Sequence, residues 1–414
     1  MQQFLLNLLL AFRNLKRHAR RSTFSIGAAT FGIVALLIAS GFVQWIFLDM
    51  REVTIRSHYG HLQITRPGFV ESGKADPHRF LFSGDIAREL SENFTSDSKG
   101  HILKAIVPRL SFSGLISHGE ATLSFIGEGV SPSEAVHFGD ALQISKGKHL
   151  RDEQPDQFIM GEGLARNLGV TVGDKVVLMV NTIGGGINAV EVMVGGLFNT
   201  VTQSYDENAI RIPLETAQQL LRTTGVHGWI VLLENTEYTD SVLEALRNIL
   251  PDDQYEVVPW YALSDFYNKT VVLFGKQVLG IKLIIAIIIL LSISNVMAIS
   301  VMERIGEIGT AMAIGVKRSG IMGQFLSEGV LIGLIGGSSG LLMGWLLAAI
   351  ISGIGIPMPP PPGMARGYTG EILVTLDMAV ESLMLVTATT LIASVHPAWK
   401  ASRMQIVDAL RHNR

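Results

Sequence analysis

Residues Ile281–Val301 read IKLIIAIIILLSISNVMAISV; the chain continues at once as Met302–Gly309, MERIGEIG, and then Ala313–Arg318, AIGVKR. The first run is apolar apart from Lys282, Ser292, Ser294, Asn295 and Ser300. A bilayer core of ~30 Å takes ~20 helical residues, so the run is long enough to span. A second, glycine-rich apolar run begins at Ile321. Between the two, Ile305, Ile308 and Met312 recur at spacings of three and four and so share one helical face. Glu303 and Glu307 lie four apart on another face, where like charges repel by roughly a few tenths of a kcal/mol. A basic partner surface would remove that repulsion. A solvated connecting helix is the alternative reading.

Working outward, Phe266–Val301 is predicted as one helix of about 54 Å at 1.5 Å per residue, well beyond the membrane core. Its upper part mixes Val271, Val272, Phe274, Val278 and Leu279 with Lys269, Lys276 and Gln277. It reads as a stalk, paired with an extension of the first span through Asp49–Ser57. That first span is the apolar run Phe24–Leu48. It is too long for the apolar core of a cleaved signal peptide. Before it, Leu5, Leu6, Leu8, Leu9, Leu10, Phe12 and Leu15 accompany Arg13, Lys16, Arg17, Arg20 and Arg21 with no acidic residue. This is the pattern of an amphipathic helix on a membrane surface.

Ile321–Ile354 is a third span. Gly329, Gly333 and Gly337 repeat every four residues, as do Gly336, Gly340 and Gly344; small residues so spaced let helices approach closely in lipid. Glu328 is an ionisable residue within it, expected to pair inside the bundle or to reach the surface. Leu376–Val395 is a fourth span, expected to end at His396-Pro397. The loop Pro357–Thr375 contains a proline run that cannot be helical throughout. Basic residues segregate to the N-terminus, to Met302–Ser319 and to the tail, which places these segments in the cytoplasm and residues ~50–270 outside.

The chain has 414 residues, 48% hydrophobic and 17% charged, with mean hydropathy +0.36. That suits a few spans plus one sizeable soluble domain. The net charge of −3 gives no basic field for nucleic acid, and without cysteine there is no disulfide or thiolate chemistry. The external region reads as α/β. His61–Thr65, Ile102–Val107, Gly228–Leu233 and Tyr255–Val258 look like strands, and Ser83–Leu90 and Thr239–Ile249 like helices. Two strand–helix–strand units flanking an insertion suggest a split, ferredoxin-like subdomain. The insertion, Ser111–Pro213, carries strands at Leu123–Gly127, Lys175–Val180 and Val190–Leu197, with glycine turns at Gly173 and Gly184–Gly186.

No chemistry of its own is legible. The Gly-Lys pairs at Gly73, Gly147 and Gly275 lack the Ser or Thr of a P-loop. Gly336-Gly337-Ser338-Ser339-Gly340 matches a nucleophile elbow only in letters, because it lies inside a membrane helix. His58 and His61 have no third metal ligand at suggestive spacing and read as turn packing.

The segment from Asn295 through Glu303-Arg304-Ile305-Gly306-Glu307-Ile308-Gly309 to Ala313-Ile314-Gly315 resembles the signature of the MacB/FtsX-like ABC permeases. Gln324–Gly337, His396–Arg403 and Val407–Arg411 fit the same family. In layout the chain is nearest to the LolC/LolE-type lipoprotein-releasing permeases; Tyr59–Ile64 is a weak marker of that group. The resemblance implies an α-helical membrane protein with four transmembrane helices and a large α/β extracytoplasmic domain, a porter-like split βαβ subdomain with a β-rich inserted subdomain. The expected division is 1–23 amphipathic helix, 24–58 first span and stalk, 59–265 external domain, 266–301 stalk and second span and 302–319 coupling segment. There follow 320–356 third span, 357–375 loop, 376–396 fourth span and 397–414 tail.

By the same resemblance the chain is a non-catalytic inner-membrane subunit of a bacterial transporter. A separate P-loop ATPase holds ATP and magnesium, no cofactor being expected in this chain, and its closure moves the external domain. The implied cargo is lipoprotein, lipid or another hydrophobic molecule. Further implied partners are a second copy or a paralogous permease, a periplasmic adaptor or carrier, and membrane lipid. The expected coupling residues are Glu303, Arg304, Ile305, Glu307, Ile308, Gly309, Met312, Gly315 and Lys317, with Ile305, Ile308 and Met312 filling the ATPase groove and Gly309 and Gly315 permitting close backbone approach. The expected helix-packing residues are Gly329, Gly333, Gly337, Gly340 and Gly344. A family alternative is an FtsX-like regulator of cell-wall enzymes that transports nothing, against which the size of the external domain argues. A membrane-anchored enzyme is a third class, without a residue constellation behind it.

Overall fold

The computed structural model describes residues 2–17, 19–73, 77–82, 102–131, 142–150, 155–200, 203–359 and 367–405. It divides into two units, Met1–Phe47 with Val271–Pro357 and Thr369–Arg414, and Leu48–Thr270 with Met358–Tyr368. The helices used below are, in chain order, α1 (Gln2–Arg17), α2 (Ala19–Thr54), α3 (Phe69–Ser72), α4 (Glu162–Leu168), α5 (Leu214–Leu221), α6 (Thr239–Ile249) and α7 (Trp260–Leu263). They continue with α8 (Asp265–Glu303), α9 (Ile305–Ala313), α10 (Arg318–Ile354) and α11 (Leu376–Ser402). Helices α2, α8, α10 and α11 are long and apolar enough to cross a membrane.

In the first unit α10 is gripped on two sides, and the two glycine repeats explain how. A Cβ at Gly329 or Gly333 would fall on Ser394 or Thr390 of α11, and one at Gly337 on Leu383 of the same helix. A Cβ at Gly336, Gly340 or Gly344 would lie 2.7 to 2.8 Å from Ala29, Ile33 or Leu37 of α2. Six glycines thus make two backbone-to-backbone seams on opposite partners. Farther along, Phe47 of α2 meets Phe274 of α8 edge-on at 6.2 Å. Lys282 of α8 pairs with Glu381 of α11, which accounts for a charge inside the second span.

Two expected boundaries differ. Helix α2 begins at Ala19, so Arg20 and Arg21 sit on the spanning helix; nothing from Ala19 to Phe24 breaks a helix. Helix α11 runs through Pro397 to Ser402 instead of ending at His396. Pro397, Ala398 and Ala401 are buried in the bundle, and that packing holds the helix across the missing N–H.

The second unit is one mixed sheet. Its strands are β1 (Leu62–Thr65), β2 (Leu103–His118), β3 (Ala121–Val130), β4 (Gln143–Gly147) and β5 (Gln157–Gly161). They continue with β6 (Lys175–Asn181), β7 (Ile187–Asn199), β8 (Ala209–Pro213), β9 (Gly228–Leu233) and β10 (Glu256–Pro259). The order is β10-β1-β9-β2-β3-β8-β5-β7-β4, with β6 pairing β2 and β7. Strands β10, β1, β9 and β2 are mutually antiparallel neighbours, the split βαβ arrangement. Leu62, Ile64, Trp229, Val231, Leu243 and Leu246 form its core. The expected helix at Ser83–Leu90 lies outside the described residues.

The inserted part has its own core around Phe112, Phe125, Phe158, Leu164, Leu178, Ile210 and Leu220. Ala217, Leu220 and Leu221 of α5 belong to that core, so the insertion reaches Leu221 rather than ending at Pro213. Strand β2 serves both parts without interruption, pairing with β9 from Leu103 to Arg109 and with β3 from Arg109 to His118.

Two buried polar clusters mark this unit. Parallel pairing sets Glu128 of β3 beside Arg211 of β8. Glu128 Oε2 lies 3.0 Å from Arg211 Nε and 3.8 Å from Arg109 Nη1, and Arg211 Nη2 donates to the Ser57 carbonyl at 2.7 Å. The second cluster is a relay. The Leu233 N–H donates to His61 Nδ1 at 3.1 Å, which leaves the ring proton on Nε2. Nε2–H donates to Thr236 Oγ1 at 3.1 Å, and the Thr236 hydroxyl donates to Glu52 Oε1 at 2.8 Å. Burial pushes the His61 ring down to about 4. The turn-packing expectation for His61 becomes a more specific role, a joint between the end of α2 and the sheet.

Candidate functional site

The short helix α9 is built by its two ends. Helix α8 stops at Glu303 because Arg304 leaves helical geometry, at φ −101°, ψ 12°. At the far end Val316 N–H donates to the Ala311 carbonyl at 3.0 Å and Gly315 N–H to the Met312 carbonyl at 3.1 Å. This is a Schellman cap, and it needs a left-handed residue. Gly315 supplies it at φ 104°. Nothing of this chain lies within 4 Å of where its Cβ would stand, so within the chain Gly315 is required for its backbone conformation. Lys317, in extended geometry, then starts α10.

The apolar face of α9 points inward. Ile308 is 4% exposed and Met312 9%, and both belong to the cluster containing Val301, Ile321, Phe325, Ala398 and Ala401. Gly309 is buried and Ile305 half-buried. Ile308 and Met312 therefore cannot fill a partner's groove as expected from the periodicity; the face is real but its occupant is the chain's own bundle. Arg304 is also buried. Its Nη1 lies 2.8 Å from Glu328 Oε1, its guanidinium 5.2 Å from the Phe325 ring, and Asn14 Nδ2 donates to the same Glu328 oxygen at 2.9 Å. One carboxylate thus joins α1, the start of α9 and α10.

The acidic face is matched within the chain too. Arg17 Nη1 stands 3.0 Å from Glu307 Oε1, and Arg21 pairs with Glu303. Arg304 Nε adds a contact to Glu307 at 3.5 Å. The basic surface that relieves the Glu303–Glu307 repulsion is the chain's own N-terminal segment.

What remains open is a different surface. Glu303, Glu307, Thr310, Ala313, Gly315, Lys317, Arg318 and Ser319 are exposed. Ile314 is 81% exposed and Val316 44%, two aliphatic side chains flanking the cap glycine. Ile314 and Val316 escaped the sequence reading because the three-and-four spacing drew attention to the buried stripe. Their signal was a pair of aliphatics astride a glycine where a helix must end.

Residues 22–249 match the MacB-like periplasmic core domain, and residues 280–406 the FtsX-like permease C-terminal region. The chain belongs to the MacB/FtsX-like ABC transporter permease family. This permease is 26% identical over 323 residues to the lipoprotein-releasing system transmembrane protein LolC of Xylella fastidiosa, covering 72% of this chain and 76% of that one. It is 24% identical to an uncharacterized ABC transporter permease, MJ1507, of Methanocaldococcus jannaschii, covering 67% of each. Similarity to the macrolide export ATP-binding/permease protein MacB of Syntrophobacter fumaroxidans is 27% over 202 residues, 46% of this permease and 26% of that protein. Among solved structures, the extracellular domain of the noncanonic ABC-type transporter YknZ overlays with TM-score 0.33 at 16% identity, covering 48% of this permease and 98% of that chain. The periplasmic region of MacB from Actinobacillus actinomycetemcomitans overlays with TM-score 0.35 at 13% identity, covering 52% and 95%. By the family match over residues 22–249 the α/β unit is of MacB-like periplasmic type, and the chain is a multi-pass membrane permease, a non-catalytic subunit.

Proposed function

We propose that this permease couples ATP hydrolysis by a separate P-loop ATPase to movement of its external domain, with ATP and magnesium held by that ATPase. The external domain extracts or exports a hydrophobic cargo such as lipoprotein or lipid. The protein sits in a bacterial inner membrane, with both termini and α9 in the cytoplasm, and acts beside a second copy or a paralogous permease and a periplasmic adaptor or carrier. One observation carries the reading: α9 is fixed to the bundle through Arg304, Ile308 and Met312 while presenting Glu303, Glu307, Ile314, Val316 and Lys317 outward. A helix tied so firmly behind passes a push on its outer face into α8 and α10.

Exposed aliphatic anchors give such a contact its affinity, and the surrounding charges set partner choice and encounter rate. Ile314→Asp is expected to weaken copurification of the ATPase at least tenfold and abolish stimulated ATP turnover in nanodiscs, with the permease still folded and inserted. Ile308→Asp is expected to fail earlier, at folding, by burying a carboxylate. Normal ATPase binding and turnover with Ile314→Asp would remove the proposed surface.

A further inference from the structure

The second unit contains a cavity of about 500 Å³, inside the ~300–1,000 Å³ range of small-molecule sites. Its floor is one face of the β2–β3 ribbon. Register pairs Ser113 with Ile126 and Ser111 with Glu128, so these four and Arg109 share that face. A gradient runs along it. Ile126 is 50% exposed, whereas Glu128, two residues on, is 3% exposed. The remaining walls come from Tyr59, Gln63, Phe69, Val70, Ala262 and Leu263. Val70 is 41% exposed and stands with Ile126 at the mouth. The cavity therefore has an aliphatic and aromatic mouth and a buried polar end.

We propose that this cavity binds a single-chain amphiphile, its polar head at the Ser111–Glu128–Arg109 end and its hydrocarbon chain along Phe69, Val70, Ile126 and Leu263. This deepens the proposed transport function and rests on it for the hydrophobic nature of the ligand. Two observations favour a lipid source. The six apolar or aromatic lining residues named above flank a narrow set of polar ones, the composition of a site for an apolar body with one oriented head. The walls also include both chain crossings: Tyr59 follows α2 by five residues, and Leu263 ends two residues before α8 begins. Both helices are long and apolar enough to cross a membrane, so the cavity wall is continuous in the chain with two helices that meet lipid.

The test uses the full chain in nanodiscs without ATPase, labelled with a diazirine-bearing palmitate and mapped by peptide mass spectrometry. Labelling is expected on peptides containing Phe69–Gly73 and Ser111–Ile126, in addition to the spans. Ile126→Trp and Val70→Trp, both at exposed positions and so compatible with folding, are expected to cut that labelling at least fivefold and leave span labelling unchanged. Unlabelled palmitate displacing the probe identifies a free fatty acid, and unlabelled lysophosphatidylethanolamine displacing it identifies a membrane lipid; displacement by neither overturns the proposal. Label confined to the spans, or domain label insensitive to both tryptophans, overturns it as well. No ATPase enters the assay, so a failed Ile314→Asp prediction and a failed cavity are separate results.

Discussion

The Arg304–Glu328 pair gives the sharpest test of how α9 is held. Both side chains are almost wholly buried, at 8% and 5% exposure, and 2.8 Å apart. Replacing Glu328 with Leu strands a buried guanidinium charge. Breaking a buried pair from one side costs about 3–5 kcal/mol. Glu307 stays 3.5 Å from Arg304 Nε but is 47% exposed, so it offsets only part, and a loss of about 3 kcal/mol is expected. Replacing both residues with Leu removes the stranded charge and is expected to cost less than about 1.5 kcal/mol. Reversible SDS titration of the full chain in mixed micelles, followed by circular dichroism, supplies the four corners of the cycle. Amide exchange adds a local reading at Ile308, whose N–H donates to the Arg304 carbonyl at 2.9 Å; it should accelerate in Glu328→Leu and recover in the double variant. If the two single losses add to the double within about 0.5 kcal/mol, the pair is not coupled and α9 is held by its apolar face alone.

Acidification should weaken the external domain through His61. Its pKa falls from 6.5 to about 4 on folding, so the unfolded chain binds the extra proton between those values, and about 3 kcal/mol present above pH 6.5 is lost as pH falls toward 4; a flat urea midpoint for the domain's transition across that window would contradict the relay. A cysteine at Thr236, 9% exposed and inside that relay, would report poorly on topology, so Glu237→Cys is preferred: impermeant reagent should label it in spheroplasts and should not label Ser319→Cys, and the opposite pattern would invert the proposed orientation. Gly329→Ala should cost about 1–3 kcal/mol because the new methyl meets the fully buried Ser394, whereas Gly280→Ala meets nothing within 4 Å and should be neutral or slightly stabilising by the same SDS titration.

The parts of this molecule legible in its sequence are those written in local periodicity. The spans, the glycine repeats, the α9 stripe and the Gly228–Leu233 strand all follow from spacing along a single element. Which body a face meets does not. Ile308 and Met312 read equally well as anchors for a partner or for the bundle, and only the three-dimensional positions of Ile321, Phe325 and Ala401 decide. Arg17 and Arg21 looked like membrane-surface charges because their carboxylates lie nearly three hundred residues away. The Glu128–Arg211–Arg109 cluster went unread for the same reason, since three strands must first find their register. A trace of it was present: Arg211 interrupts the apolar run Ala209–Pro213, every residue of which is buried, and a charge there requires a partner.

Strand β2 has one more consequence. Its 16 residues, about 53 Å at 3.3 Å per residue, are common property of both halves of the external domain. At this crossing no linker intervenes, because the pairing passes from β9 to β3 at Arg109 itself. A tug delivered at Ala105, just past the register shift in the pairing with β9, passes to His118 through a ladder that must shear several hydrogen bonds at once before it yields. A recombination that exchanged the β-rich half alone would have to splice through the middle of a paired strand.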